Sequence, residues 1–149
     1  MLPKFMIGTI AGAALALSTT AFAQDQSGTV AEAKAMLEKA VAAVKANKAK
    51  ALASFSAGTD GFEDRDLFCF NVADGVITAG STAVRGKDTR TLKDSTGKAF
   101  GEEIYKAAQD GKINEVSYMF PRPGETEAVT HVSFVTKVGD LGCAVGYYK

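Results

Sequence analysis

Two hydrophobic periodicities occupy separate parts of this chain, and no single kind of regular element can carry both. Apolar residues first return at three- and four-residue steps, at Val30, Ala33, Leu37, Ala40, Val41 and Val44, the spacing that gives a helix one buried face. From Leu67 the step becomes two, with Phe68, Phe70 and Val72 alternating against Leu67, Cys69, Asn71 and Ala73, as along a strand. A helix must therefore pack on a sheet, and the expected class is α+β.

The helix has a start signal, because Thr29-Val30-Ala31-Glu32 is spaced as a capping box in which hydroxyl and carboxylate serve each other's backbone N–H. Glu32, Lys34, Glu38, Lys39, Lys45 and Lys48 fall on its wet side. Asn47 interrupts it, Lys48 to Ser56 continues as a second short piece with Leu52 and Phe55 inward, and Ser56 to Gly61 is loop. The strand from Leu67 is apolar on both faces, which suits a central position covered on each side. Asp74-Gly75 turns it into Val76 to Ala79. A long polar connection, Ser81 to Lys98, leads to a short helix carrying Phe100, Ile104, Ala107 and Ala108 before Gly111. Three strands close the chain: Val116 to Phe120, Val129 to Val138 and, past Gly139-Asp140, Leu141 to Tyr148. In the last of these Gly142, Ala144 and Gly146 share a face and leave it almost without side-chain volume. Phe68 and Phe70, a helix or a ligand must cover that face, since close packing leaves no void there.

Ahead of these elements, Lys4, the mostly apolar run Phe5 to Thr20 and Ala21-Phe22-Ala23 have the three parts of an export signal over residues 1–23, with cleavage expected before Gln24. An uncleaved membrane anchor is the competing reading. Residues 24–149 then form one domain, placed in the periplasm or secreted, where a disulfide can persist. The 17 basic and 17 acidic residues balance, and no run of five or more cations exists, so nucleic acid is not an expected partner. Cofactor and metal signatures are missing too. One histidine and two distant cysteines give no zinc spacing, and Gly80 to Lys87 is one residue too long for a phosphate-binding loop, with Asp88 where Ser or Thr is required. No nucleophile motif is present, so no enzyme is expected.

Binding residues are easier to name. Arg85, Lys87, Arg90, Lys93 and Lys98 outnumber Asp88 and Asp94 in the polar connection, which would draw an anionic ligand, and the N-terminus of the helix that follows would present free N–H groups to it. Tyr118 and Phe120 share one strand face, His131 and Ser133 one face of the next, and all four can reach a pocket above the sheet. The ordinary reading of His131 alone is a partly exposed strand residue.

The order of elements, together with Asp66-Leu67-Phe68-Cys69-Phe70, Ala73-Asp74-Gly75-Val76, Gly86-Lys87-Asp88, Leu92-Lys93-Asp94-Ser95-Thr96-Gly97-Lys98, Tyr118-Met119-Phe120-Pro121-Arg122-Pro123, Lys137-Val138-Gly139-Asp140 and Gly146-Tyr147-Tyr148, resembles the single Cache domain family from Thr29 to the C-terminus. Phe120 and Arg122 stand where that family usually has tryptophan and asparagine, and Arg90 where an apolar residue is common. The resemblance implies a PAS-like five-stranded antiparallel sheet in the order 2-1-5-4-3, a long helix across one face and a small-molecule pocket on the other. It implies a sensor-type protein that binds a small organic acid or similar metabolite without catalysis, Tyr118 being the pocket residue that the family motif includes. It also places Cys69 and Cys143 on neighbouring antiparallel strands, so that a disulfide is within reach, two inert buried thiols being the other outcome. Many relatives are the outer parts of membrane receptors, whereas this chain ends at the fifth strand. The expectation is a free binding protein, or one that passes its ligand state to a membrane sensor. The alternatives are an interaction module without ligand, such as a homodimer, and a periplasmic thiol-redox protein.

Overall fold

The computed structural model describes residues 28–62 and 66–149; the expected signal at residues 1–23 and its cleavage point lie outside them. Helix α1 (Val30–Ala46) begins on the complete capping box of Thr29 and Glu32 and buries Ala33, Leu37, Ala40 and Val44, the predicted stripe. Asn47 ends α1 with an extended backbone and at once caps α2 (Lys48–Ala57), its side chain accepting the N–H of Lys50. One residue thus turns the helical layer without breaking its apolar face. Gly58, left-handed at φ 65°, stops α2 in the conformation that glycine adopts at least cost.

The sheet is β1 (Leu67–Asn71), β2 (Ile77–Ala79), β3 (Asn114–Pro121), β4 (Ala128–Val138) and β5 (Leu141–Tyr148), all neighbours antiparallel, in the order β2-β1-β5-β4-β3. Helix α3 (Phe100–Ala107) and a 3-10 turn at Thr89–Thr91 occupy the connection between β2 and β3. Alternation sorts the strand residues into two apolar layers. Leu67, Cys69, Val132, Phe134, Leu141, Cys143, Val145 and Tyr147 face α1 and α2, while Phe70, Val116, Tyr118, Val135 and Ala144 face α3. A register shift between Cys69 and Phe70 in the β1–β2 pair sends Ala79 to the first layer and Ile77 to the second, although residues two apart would ordinarily share a face.

Cys69 lies directly opposite Cys143, and the two form a disulfide with no solvent exposure at either residue. The bridge spans a sequence separation of 74 residues. On the chain-entropy account that closure stabilises the fold by about 4 kcal/mol.

The bare stripe on β5 is covered by two rings. A Cβ on Gly142 would come within 2.2 Å of the Phe70 ring, and one on Gly146 within 2.1 Å of the His131 ring. Phe70 was among the expected covers and His131 was not. The partly exposed position expected for His131 is corrected accordingly: it is 1 % exposed, because Gly146, on the neighbouring strand, has no Cβ and leaves room for the imidazole. Gly142→Ala has no comparable room, since Phe70 is fully buried. Overpacking there should lower stability by roughly 1–3 kcal/mol, read as a reduced urea midpoint with unchanged m-value.

Candidate functional site

Above the face that carries Phe70 and Ala144, the connection from β2 to α3 stands away from the strands and leaves a cavity of about 210 Å³. That volume is equivalent to roughly seven waters at ~30 Å³ each. Its walls are Asp66, Leu67 and Phe68 from β1 and its entry, Ser81, Ala83, Val84 and Leu92 from the connection, Phe100 from α3, Tyr118 and Phe120 from β3, and His131 from β4.

Antiparallel register explains the floor. Tyr118 is directly opposite His131, and their rings meet at 4.9 Å. Phe100, the first residue of α3, stacks on Tyr118 at 3.9 Å and 10°, joining helix to floor with the energy of an aromatic pair. The Tyr118 hydroxyl and the Ser133 hydroxyl are 2.9 Å apart and buried. Burial pushes the Tyr118 phenol well above the ordinary tyrosine range, so it stays protonated. Phe120 is 43 % exposed and lies at the mouth. His131 Nε2 is 2.8 Å from an Asp66 carboxylate oxygen; since a carboxylate only accepts, Nε2 carries the proton of that bond. The other ring nitrogen, Nδ1, is buried with no hydrogen-bond partner among the described residues.

Two aspartates hold the roof. Asp94 accepts through one oxygen from the Thr96 hydroxyl and the N–H groups of Thr96 and Lys98, and through the other from the N–H of Met119 on β3. Those donors, the Thr96 hydroxyl first, depress its pKa to about 2. Asp88 accepts a two-pronged contact from Arg90 at 2.7 and 2.9 Å, and the same guanidinium donates to the Asp74 carbonyl at 2.7 Å and covers the Tyr105 ring. Leu92, between the two pins, is thereby set in the wall.

The structure brings together some of the predicted site residues and separates others. Tyr118 and His131 line the cavity, and Ser133 stands behind Tyr118 as its hydrogen-bond partner. Arg85, Lys87 and Arg90 are exposed and outside the lining, because the connection turns its charged side chains to solvent and its apolar ones inward. The expected anion site at the start of α3 is also corrected: the N–H groups of Phe100 and Gly101 donate to the carbonyls of Lys98 and Leu92, and Glu102 and Glu103 follow in the first turn. Asp66, Ser81, Val84 and Leu92 were given no binding role from sequence. Asp66 had one signal, an acidic residue immediately before a strand apolar on both faces, which must sit at the end of the sheet with its carboxylate at an opening. Among the described residues no group of three or more His, Cys, Asp or Glu side chains could hold a metal ion, and no helix is long and apolar enough to cross a membrane.

The family model described as Single Cache domain 2 matches residues 18–148. Solved structures similar to the chain include a methyl-accepting chemotaxis protein from Vibrio parahaemolyticus RIMD 2210633, at 21% identity over 79% of this chain and 86% of that one with a TM-score of 0.61. A periplasmic sensor domain of a chemotaxis protein matches at 20% identity over 79% and 88%, TM-score 0.58. A third, described as the structural basis for carboxylic acid recognition by a Cache chemosensory domain, matches at 20% over 79% and 86%, TM-score 0.56. At these identities the likeness establishes the fold. No curated protein matches the chain.

Asp94 offers a test of how the roof is held. Its depressed pKa means that its contribution is present above the ordinary carboxylate value and lost as pH falls from about 4 through about 2. Asp94→Asn sets an amide N–H₂ among donors, so it should lower the midpoint of thermal unfolding at pH 7. The gap from wild type should close between pH 4 and pH 2, as followed by circular dichroism.

Proposed function

We propose, since the chain belongs to the single Cache domain family, that its function is sensor-type capture of one small organic molecule in the cavity beneath the β2–α3 connection, with no bond made or broken. The observation that carries this reading is the cavity itself. It opens on the sheet face opposite α1, where four aromatic rings and a histidine surround a volume fit for a ligand of roughly ten heavy atoms. A roof pinned at Asp88 and Asp94 leaves little to order on binding, which favours affinity. The narrower expectation, a small organic acid, draws support from the similar structure described as recognising carboxylic acids. The absence of Lys and Arg among the described lining residues weighs against it. A thiol-redox role has less behind it, because both sulfurs are joined to each other and buried, whereas reactive cysteines need exposure.

Periplasmic residence belongs to the same proposal. It is supported by the tripartite pattern of residues 1–23, by a disulfide of the kind that persists in oxidising compartments, and by the similar structure described as a periplasmic sensor domain.

Two measurements check this reading. N-terminal sequencing of protein released by osmotic shock should begin at Gln24, and recovery only with membranes, starting at Met1, would contradict cleavage and release into the periplasm. A thermal-shift screen of small acids, amines and neutral metabolites should find a compound that raises the unfolding midpoint by roughly 5–10 °C at a hundred times its Kd. Phe120→Ala, at the exposed mouth, should weaken that compound about tenfold while the ligand-free midpoint stays within a degree or two. A screen without a hit would remove the binding function.

A further inference from the structure

The sign of the charge on the lining deepens the binding proposal, and the following rests on that reading. Asp66 is the one Asp, Glu, Lys or Arg side chain among the described residues of the wall. Its carboxylate is 44 % exposed, so it stands at the rim with oxygen lone pairs beyond the one that accepts from His131 Nε2. Beside it are the rings of Phe68, Phe100, Tyr118 and Phe120. Aromatic faces carry negative quadrupole density and attract cations. The buried Nδ1 of His131, with the ring proton committed at Nε2, is in the neutral ring a further acceptor without a donor. Apart from the hydroxyls of Ser81 and Tyr118, a ligand carboxylate would meet mainly acceptors and ring faces among the described lining side chains, whereas an ammonium group complements both.

Among the described residues, the cations near this region are directed elsewhere. Arg90 is held by Asp88 and the Asp74 carbonyl, Lys98 donates to the Ser117 carbonyl at 2.6 Å, and Arg122 covers the Tyr148 ring at 5.3 Å, outside the lining. Arg85 and Lys87 are exposed to water and screened by salt. We propose that the cavity selects a small organic ammonium ion with an apolar or aromatic body, the nitrogen at Asp66 and the body among Phe68, Phe100, Tyr118 and Phe120.

Calorimetric titration of the mature chain with three probes of similar size tests this: phenethylammonium, 2-phenylethanol and phenylacetate, at pH 8. Phenethylammonium should bind at least tenfold more tightly than phenylacetate, with the alcohol between them. Asp66→Asn keeps an oxygen acceptor for His131 and should cost phenethylammonium tenfold or more while moving the alcohol less than threefold. Phe120→Ala should weaken all three alike. Phenylacetate binding as tightly as phenethylammonium or more so, or an ammonium affinity indifferent to Asp66→Asn, would overturn the charge assignment and leave the binding function standing. If none of the three binds, yet the metabolite screen finds a ligand, the assignment falls and the cavity reading survives. Should both experiments come back empty, the two fail together.

Discussion

The missing side-chain volume on β5 is the constraint on which the rest of this structure depends. At Gly142 and Gly146 the strand offers bare backbone, and Phe70 and His131 lie against it. These two rings cover β5 on this face, and toward β3 Tyr118 and Phe100 stack. The cavity opens over that floor, next to the His131 ring. On the other face the same strand places Leu141, Cys143, Val145 and Tyr147 against the helices, so a single alternating segment builds a solid core on one side and a hollow on the other. The disulfide lies in the solid layer. It fixes β1 to β5 on the helix-covered face, without taking up room in the hollow.

A hollow in a protein interior persists only where something stops its walls from collapsing, because unfilled space forfeits dispersion contacts. Here the supports are polar and lie at the roof. Asp94 gathers donors from its own turn and from β3, and Arg90 ties Asp88 to the β1–β2 turn through the Asp74 carbonyl. Most of these bonds are charge-assisted and several share one acceptor, so together they resist displacement better than separate surface pairs would. Of the residues that look most like ligand groups in the sequence, Arg90 is thus employed in holding the loop while Arg85 and Lys87 face solvent, and the apolar Val84 and Leu92 reach the space beneath.

This division explains which parts of the architecture were legible beforehand. Periodicity identified α1, its interruption at Asn47, the two-sided β1 and the closing strands, because each is set by burial along one short segment. Element boundaries at Thr29 and Gly75 followed from capping and turn chemistry that the local residues determine. Strand order and the pairing of Cys69 with Cys143 came from family resemblance, since no local rule orders strands distant in sequence. The orientation of side chains in the connection was not legible. Arg90 next to Asp88 could equally have been a free cation beside a free anion, and only the fold brings the Asp74 carbonyl within reach of the same guanidinium. His131 was misjudged for a related reason. A lone imidazole in a strand reads as half-exposed until the neighbouring strands are known to place Tyr118 and Tyr148 opposite it and the bare backbone of Gly146 beside its ring.

Asp66 illustrates the more general point about charge in a site of this kind. Counting charges along the chain makes the β2–α3 connection cationic, and counting them along the cavity wall makes the site anionic; the two disagree because sequence proximity weights every side chain equally while a cavity weights only those that face it. Distance and dielectric sharpen the difference. A carboxylate at the rim acts through protein and confined space, as its influence in raising both the Tyr118 and Tyr148 phenols reflects, burial being the larger cause in each. Exposed cations on the far side of the same loop act through water and salt, where about 10 Å is enough to screen them at ordinary ionic strength. On the binding proposal, the local carboxylate would set the polarity of the site, and the cationic loop would contribute mainly to the field that a diffusing molecule meets before it arrives.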